Sequence, residues 1–464
     1  MSHPPSSAVS ATDDSIREKE SDVEQRAAEK DLSNSQTAPE PINPWHPSQF
    51  PDGGKDAYLC LLGAFCCLFC SFGWLNCVGV FQNYYETHQL RDHSSSQVAW
   101  ISSLQIFVMF FPGPIVGFFY DNHGPTYLIA VGALFHVFGL MMTSLCTEYY
   151  QFILAQGICS PLGLNCIFNA AVSSLPSWFL KKRGLAYGVT AAGSGLGGII
   201  FPIMASHLIP QIGYGWTLRT FAFMILGLLL IAFATVRSRL PPKIRKFRLQ
   251  VFIDPFKDLR FTMMVISSFL FFLGLFIPIN FIEVEAMTNG MSVHLSSYLL
   301  PMLNAARYVS ALFLFPRHSP NKSSIFGRVI PGALADKFGP YNLQAVMAFF
   351  TGILCLALGL PASGNAAFII FAALYGFASG GFVSLAPAQI AKISNVQEIG
   401  VRTGVLFSCV SFAGLVGNPI AGALVDGTGF DKVNIFAGVV MLAGAVLFVI
   451  TRMVVTGWKV AQIA

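Results

Sequence analysis

Charge is scarce in this chain. Asp, Glu, Lys and Arg make up 11 % of its 464 residues, where an average soluble chain carries about a quarter. A soluble protein of this length forms roughly three domains, each needing a charged shell. The 28 Lys and Arg and 23 Asp and Glu cannot supply three such shells. A soluble enzyme is excluded. A phosphate-cradling glycine loop, paired catalytic carboxylates and a nucleophile–base set are also missing, so neither ATP-driven transport nor catalysis finds support. The basic residues form no patch interleaved with aromatics, which argues against a nucleic-acid partner. Cys67-x-x-Cys70 has no second pair and no His cluster, so no metal and no cofactor are expected. All ten cysteines lie in or beside apolar runs, which fits core or lipid-facing residues and not a disulfide framework. No cleavable leader is visible, because the N-terminus is polar and the first apolar run starts near Ala57.

What is present is apolar. Hydrophobic residues make up 54 % of the chain, Phe alone occurs 43 times, and the mean hydropathy is +0.61. Residues 1–51 hold nine acidic and four basic residues among many Ser, Gln and Pro, and read as a disordered cytosolic tail. Beyond them come runs of about 20 apolar residues, the length that crosses a hydrocarbon slab as helix. The first six are Ala57–Phe81, Val98–Phe119, Thr126–Cys146, Phe152–Leu175, Gly184–Leu208 and Leu218–Val236. A basic connector, 237–260, separates them from Phe261–Ile282, an irregular Tyr298–Leu334, Tyr341–Leu360, Ala366–Ile390, Thr403–Val425 and Val433–Val455. The expected fold is therefore an all-α membrane protein with twelve transmembrane helices. Residues 57–236 form one six-helix bundle, 261–455 the second, and 456–464 a cytosolic tail. With the N-terminal tail inside, the inner connectors carry sixteen Lys and Arg and the outer ones two, the irregular segment aside. That bias puts both termini in the cytosol.

The two halves share a signature. Gly113 to Pro125 contains Gly117, Asp121 and Gly124-Pro125; Arg328 to Pro340 contains Gly332, Asp336 and Gly339-Pro340. Each copy falls at the cytosolic exit of the second helix of its half, so the bundles are pseudo-symmetric and a midplane site between them is expected. Asp121 and Asp336 can accept hydrogen bonds from helix N-termini and brace a cytosolic gate, with Gly117 and Gly332 beside them. The glycines of helix five (Gly184, Gly188, Gly193, Gly197) and helix eleven (Gly414, Gly417, Gly422) read as close-packing faces.

The irregular eighth segment contains Arg307–Ser323, with three cations and two prolines. Without those 17 residues one clean 20-residue crossing remains. With them, Arg307 lies mid-helix at a cost of about 2.5–3.5 kcal/mol. The favoured reading is a retained intron in the gene sequence, tested by sequencing the transcript. The alternative is a span Tyr298–Phe315 followed by a loop.

Three stretches carry a family resemblance: Pro51-Asp52-Gly53-Gly54 before helix one, Trp178 to Gly197 entering helix five, and Gly327-Arg328 through Ala335-Asp336 in helix eight. With them the chain resembles the monocarboxylate-porter branch of the major facilitator superfamily, its fungal members above all, from about Pro51 to Val455. The resemblance implies the two-lobed fold and a substrate-binding Arg at Arg328. It also has departures: Lys55-Asp56-Ala57 replaces an aromatic pattern, Asn76 stands where animal members have a Lys, and Ser324 where they have an Asp.

With the insertion set aside, Arg328 is the one cation well inside a predicted span, and its fork suits a carboxylate. Asn165 and Asn169, four apart in helix four, either line the cavity or bond a neighbouring helix; Asn76, Asn280 and Asn304 offer the same choice. Glu283 and Glu285, placed just past helix seven, are proton-coupling candidates, guards of the outer mouth, or solvated loop charges. His136 reads as a packing residue and Arg219 as an interfacial anchor. The expected activity is secondary transport, by alternating access, of a small anionic organic solute: a monocarboxylate, or an acidic fungal secondary metabolite leaving the cell. A solute-sensing receptor and a passive channel are the rivals. The expected partners are that solute and the lipid bilayer, in the plasma membrane or the vacuolar membrane; the missing Lys and Asp put lactate and the family's usual proton coupling in question, so a coupling proton stays an open alternative.

Overall fold

The computed structural model describes residues 50–239, 248–309, 335–395 and 398–457. Among the described residues every regular element is helical. In hydrocarbon no water is available to backbone N–H and C=O groups, and a helix satisfies them within one segment. Among the described residues ten helices are long and apolar enough to cross a membrane. They are α1 (Lys55–Thr87), α2 (Gln97–His123), α3 (Thr126–Thr143), α4 (Tyr149–Ser177), a continuous Arg183–Thr235, α7 (Leu259–Thr288), α9 (Pro340–Gly359), α10 (Asn365–Ile393), α11 (Ile399–Val425) and α12 (Phe430–Thr456).

The 53-residue stretch is two crossings. As one straight rod it would run about 80 Å, far more than a bilayer. It reverses at Gly213, whose φ of 78° and ψ of 164° lie where a side chain would clash. Residues 183–212 are α5 and 214–235 are α6. The expected eighth crossing is described over α8 (Leu299–Val309) and the short helical end 335–338. The proposed insertion, apart from the helical backbone of residues 307–309, lies outside the described residues, as do Arg328 and Gly332.

Two expected boundaries move. Helix one does not stop at Phe81 but continues to Thr87, and helix seven does not stop at Ile282 but runs to Thr288. Glu283 and Glu285 are thus helical residues and not loop charges. Polar residues masked both extensions, because apolarity ends on one face before the helix does. Several helices are interrupted at mid-depth: α1 at Asn76–Cys77, α2 at Phe111–Pro112, α7 at Phe276 and α10 at Gly380–Gly381. Broken helices are tolerated in a bilayer where they line a cavity or are buried in protein.

Within each lobe small residues let backbones meet. A Cβ at Gly197 would lie 2.8 Å from Gly73 Cα on α1, and one at Gly274 would lie 2.6 Å from the Ala437 carbonyl of α12. Gly193 and Gly417 fit the same expectation, against Phe65 and Leu273. Gly422 does not: nothing comes within 4 Å of its Cβ position, and it faces a cavity instead.

Candidate functional site

Two clamps join the lobes at the end that carries the basic loops. Asp121, near the end of α2, accepts hydrogen bonds from the backbone N–H of Gly400 (3.1 Å) and Val401 (3.0 Å) in the first turn of α11. Asp336, at the end of the eighth crossing, accepts from Gly184 (2.8 Å) and Leu185 (3.0 Å) in the first turn of α5. Both pairs occupy the second and third positions of their helices. Those N–H groups have no partner inside the helix and sit at its positive end, so a carboxylate is the natural acceptor. The repeated Gly-x-x-x-Asp signature thus builds one contact twice, each time from one lobe to the other. Arg183 adds a third tie across the lobes, donating from Nη1 to the Ala391 carbonyl of α10 at 3.0 Å.

Close backbone approach makes the α2–α11 clamp possible. A Cβ at Gly113 would lie 2.8 Å from the Gly404 carbonyl, and one at Gly117 would strike the Gly400 carbonyl. Nearby, one Asp52 oxygen takes three backbone N–H bonds, from Leu180 (2.7 Å), Lys181 (2.8 Å) and Lys182 (3.2 Å). Two of the stretches that carry the family resemblance therefore touch, and the first pins the loop from which α5 starts. Asp258 caps α7; burial acts to raise its carboxyl. Hydrogen bonds from the Arg260 side chain and backbone, with the charges of Arg260 and Arg402, outweigh that and hold it below its usual value.

Away from the basic loops the lobes part around a chamber of about 480 Å³, within the size range of small-molecule sites. The first lobe contributes Asn76, Gln82 and Glu86 of α1 and Trp100 and Ser103 of α2; the second contributes Asn280 and Glu283 of α7 and Asn418 of α11. The remaining wall is mostly apolar, with Ile106, Phe276 and Leu300 among it. Asn280 donates to Asn418 Oδ1 at 3.0 Å. Gln82 donates to Glu86 at 3.3 Å and accepts from Ser102 at 3.2 Å, which orients the carboxylate.

The expected site residues divide between this chamber and the packing around it. Asn76, Asn280 and Glu283 line it. Asn165 and Asn169 are buried in α4, where Asn165 donates to the Met109 carbonyl of α2 at 2.5 Å and Asn169 to Asn165 Oδ1 at 3.0 Å. Asn304 of α8 donates to the Gly198 carbonyl of α5 at 3.3 Å. Glu285 faces α12, accepting from Asn434 at 2.7 Å. His136 is buried with Nδ1 2.9 Å from Ser160 Oγ. Arg219 stacks 4.8 Å over the Trp216 ring and donates to Ser144. Gln82, Glu86, Ser103 and Asn418 are lining residues that sequence reasoning missed. The first two lay past the assumed end of helix one, although their four-residue spacing already put them on one face.

The sequence profile described as Major Facilitator Superfamily matches residues 63–330 and 310–462. The chain belongs to that superfamily. Among relatives of this superfamily member, "MFS-type transporter 1" of Ophiocordyceps sp. (strain BCC 1869) is 49 % identical over 432 residues, covering 93 % of this chain and 92 % of the relative. The "Fujikurins efflux protein" of Gibberella fujikuroi is 42 % identical over 88 % of this chain and 84 % of its own length. The "Aspyridones efflux protein" of Emericella nidulans is 40 % identical over 86 % of this chain and 78 % of its own length. Among solved structures, the E. coli fucose:proton symporter matches with a TM-score of 0.65 at 14 % identity, over 85 % of this chain and 98 % of that one. The human organic anion transporter matches with a TM-score of 0.65 at 14 % identity, over 84 % and 98 %. Identity this low reports the fold alone. The protein is a multi-pass membrane transporter of the major facilitator fold.

Proposed function

We propose that this transporter exports a small organic metabolite of the fungal secondary-metabolite class, by alternating access. The observation that carries the reading is a chamber walled by both lobes, with paired inter-lobe clamps at the opposite, basic end. With the basic loops in the cytosol, that arrangement faces outward and is closed inward. Release of the two clamps would open the other side. The description of two relatives as efflux proteins supports export over import, and over a sensor that moves nothing.

The finer reading is membership of the monocarboxylate-porter branch and a cargo bearing an acid group, with Arg328 as its partner. A guanidinium in a predicted span normally faces the bundle interior and a counter-charge. The proposed residence is the plasma membrane. Comparing secreted metabolites between a strain lacking this gene and its parent tests export: the parent secretes an organic acid that the deletion strain retains. Identical profiles inside and outside the cells would remove the proposal.

A further inference from the structure

Among the described residues the chamber is lined by four side-chain amides: Asn76 and Gln82 from the first lobe, Asn280 and Asn418 from the second. Gln82 is committed to Glu86 and Ser102. Asn280 and Asn418 share a single bond, in which Asn280 Nδ2 donates to Asn418 Oδ1 at 3.0 Å. Asn280 Oδ1 is left open as an acceptor and Asn418 Nδ2 as a donor, neither side chain having a second partner among the described residues. Turning both amides over leaves the same complement, one acceptor and one donor. Asn280 is exposed and Asn418 keeps 8 % of its surface, so the edge is reachable from the chamber. Helix defects place both residues. Asn280 lies one turn past the break of α7 at Phe276, and Asn418 precedes Pro419 inside α11. A proline there removes a backbone hydrogen bond and bends the helix, a distortion that membrane helices keep where they line a cavity. The rest of the wall suits neutral matter with an aromatic part. Its charged side chains among the described residues are Glu86 and Glu283, with neither Lys nor Arg, so a carboxylate finds no counter-charge here. Trp100, 45 % exposed, offers a ring face from the first lobe.

We propose that Asn280 and Asn418 form a recognition edge for a cis-amide, so that the cargo is a metabolite carrying a lactam or cyclic-dipeptide ring. This rests on the export reading and names the chemistry of what is exported. A small ring holds its amide cis, with N–H and C=O pointing out along one edge. The N–H donates to Asn280 Oδ1 and the C=O accepts from Asn418 Nδ2, which completes the one-donor, one-acceptor complement of the pair. An open-chain secondary amide is trans and sends the two groups to opposite sides, so it engages only one of the asparagines. A carboxylate has no donor to give. Any acid group on the same cargo is answered away from this wall.

The test uses the purified full chain in neutral-lipid nanodiscs, with binding to empty nanodiscs subtracted. Three uncharged probes are compared at equilibrium. Cyclo(Phe-Phe) presents cis-amide edges and two phenyl rings. Its N,N′-dimethyl derivative keeps the carbonyls and loses the donors, and N-benzylphenylacetamide is an open-chain trans amide. The parent should bind cyclo(Phe-Phe) about 5-fold or more tightly than either of the others. Asn280→Leu removes the acceptor at similar size. It should weaken cyclo(Phe-Phe) by about that factor and leave the dimethyl probe within about 2-fold, erasing the preference. Asn418→Leu should instead weaken both cyclic probes alike, since each still offers its carbonyl. A loss that came only from a loosened fold would fall on all three probes in both variants. Equal binding of the methylated and unmethylated rings by the parent, a comparison that needs no variant, overturns the proposal. So does the absence of saturable binding of cyclo(Phe-Phe), or an Asn280→Leu chain that keeps the full preference. Export is read separately from the deletion strain, so a metabolite retained there would leave the export reading standing while the lactam falls.

Discussion

Asp121 and Gly400 face each other across the lobe boundary, the carboxylate taking the backbone N–H of the glycine at 3.1 Å. Asp336 and Gly184 repeat the contact at 2.8 Å with the lobes exchanged. On the proposed alternating-access reading both carboxylates leave their helix N-termini as the basic end opens, and the pair would then set the bias between the two access states.

Weakening the clamps should lower transport without unfolding the protein. A charge at a helix N-terminus contributes up to about 2 kcal/mol in partly buried geometry. Asp121→Asn and Asp336→Asn should therefore each shift the access equilibrium by roughly 3- to 30-fold, and the double substitution by close to the product. Spin-label distances across the basic end should broaden toward the open form. A double mutant indistinguishable from the parent would show the clamps to be ornamental.

Gly117→Val should separate α2 from α11. The added side chain would meet the Gly400 backbone, which cannot yield as a flexible side chain can. Overpacking of this kind costs about 1–3 kcal/mol. Thermal melting of the detergent-solubilised protein should fall by several degrees, and cross-linking between engineered cysteines on the two helices should slow.

Asp52→Ala should destabilise the start of α5. It leaves three backbone N–H groups without their acceptor; the Leu180 N–H is partly buried, where such a loss costs about 1–3 kcal/mol, while those of exposed Lys181 and Lys182 can turn to water. Asp52→Asn should recover part of the loss in melting temperature, since its carbonyl oxygen can still accept.

Acid should unlock the junction before α7. Asp258 is held below its ordinary value in the folded chain, so its contribution is complete above the usual carboxylate range. That contribution disappears as pH falls through the lowered value. Asp258→Asn should flatten the acid limb of a melting-temperature profile and leave the neutral region slightly lower. An unchanged acid limb would assign the loss to other groups.

Arg328→Ala should abolish export of an acidic metabolite at unchanged protein level, as read by metabolite profiling alongside immunodetection. Arg328→Lys should restore less than the parent rate, because an ammonium lacks the two-pronged geometry for a carboxylate.

Much of the architecture was legible in the sequence. Long apolar runs, the six-break-six order and the duplicated Gly117/Asp121 and Gly332/Asp336 signature led to a two-lobed bundle, and Asp121 and Asp336 were expected to meet helix N-termini. The chamber was less legible. Gln82 and Glu86 lay beyond the last apolar residue of helix one, so hydropathy ended that helix early. Asn165, Asn169 and Asn304 look like cavity residues by composition, yet their amides are engaged with neighbouring backbone and with one another. An amide in a membrane helix has the same sequence appearance whether it faces cargo or a neighbouring carbonyl.

Composition and periodicity by themselves determined that the chain must live in a bilayer, cross it repeatedly and carry its basic loops on one side, because the transfer cost of charge and of unpaired backbone acts on each segment separately. Which side chains share a cavity was decided only by the tertiary structure. Glu86 and Glu283 are nearly two hundred residues apart, and nothing local brings them to one chamber. Their meeting depends on how α1 and α7 are broken, tilted and packed against helices of both lobes.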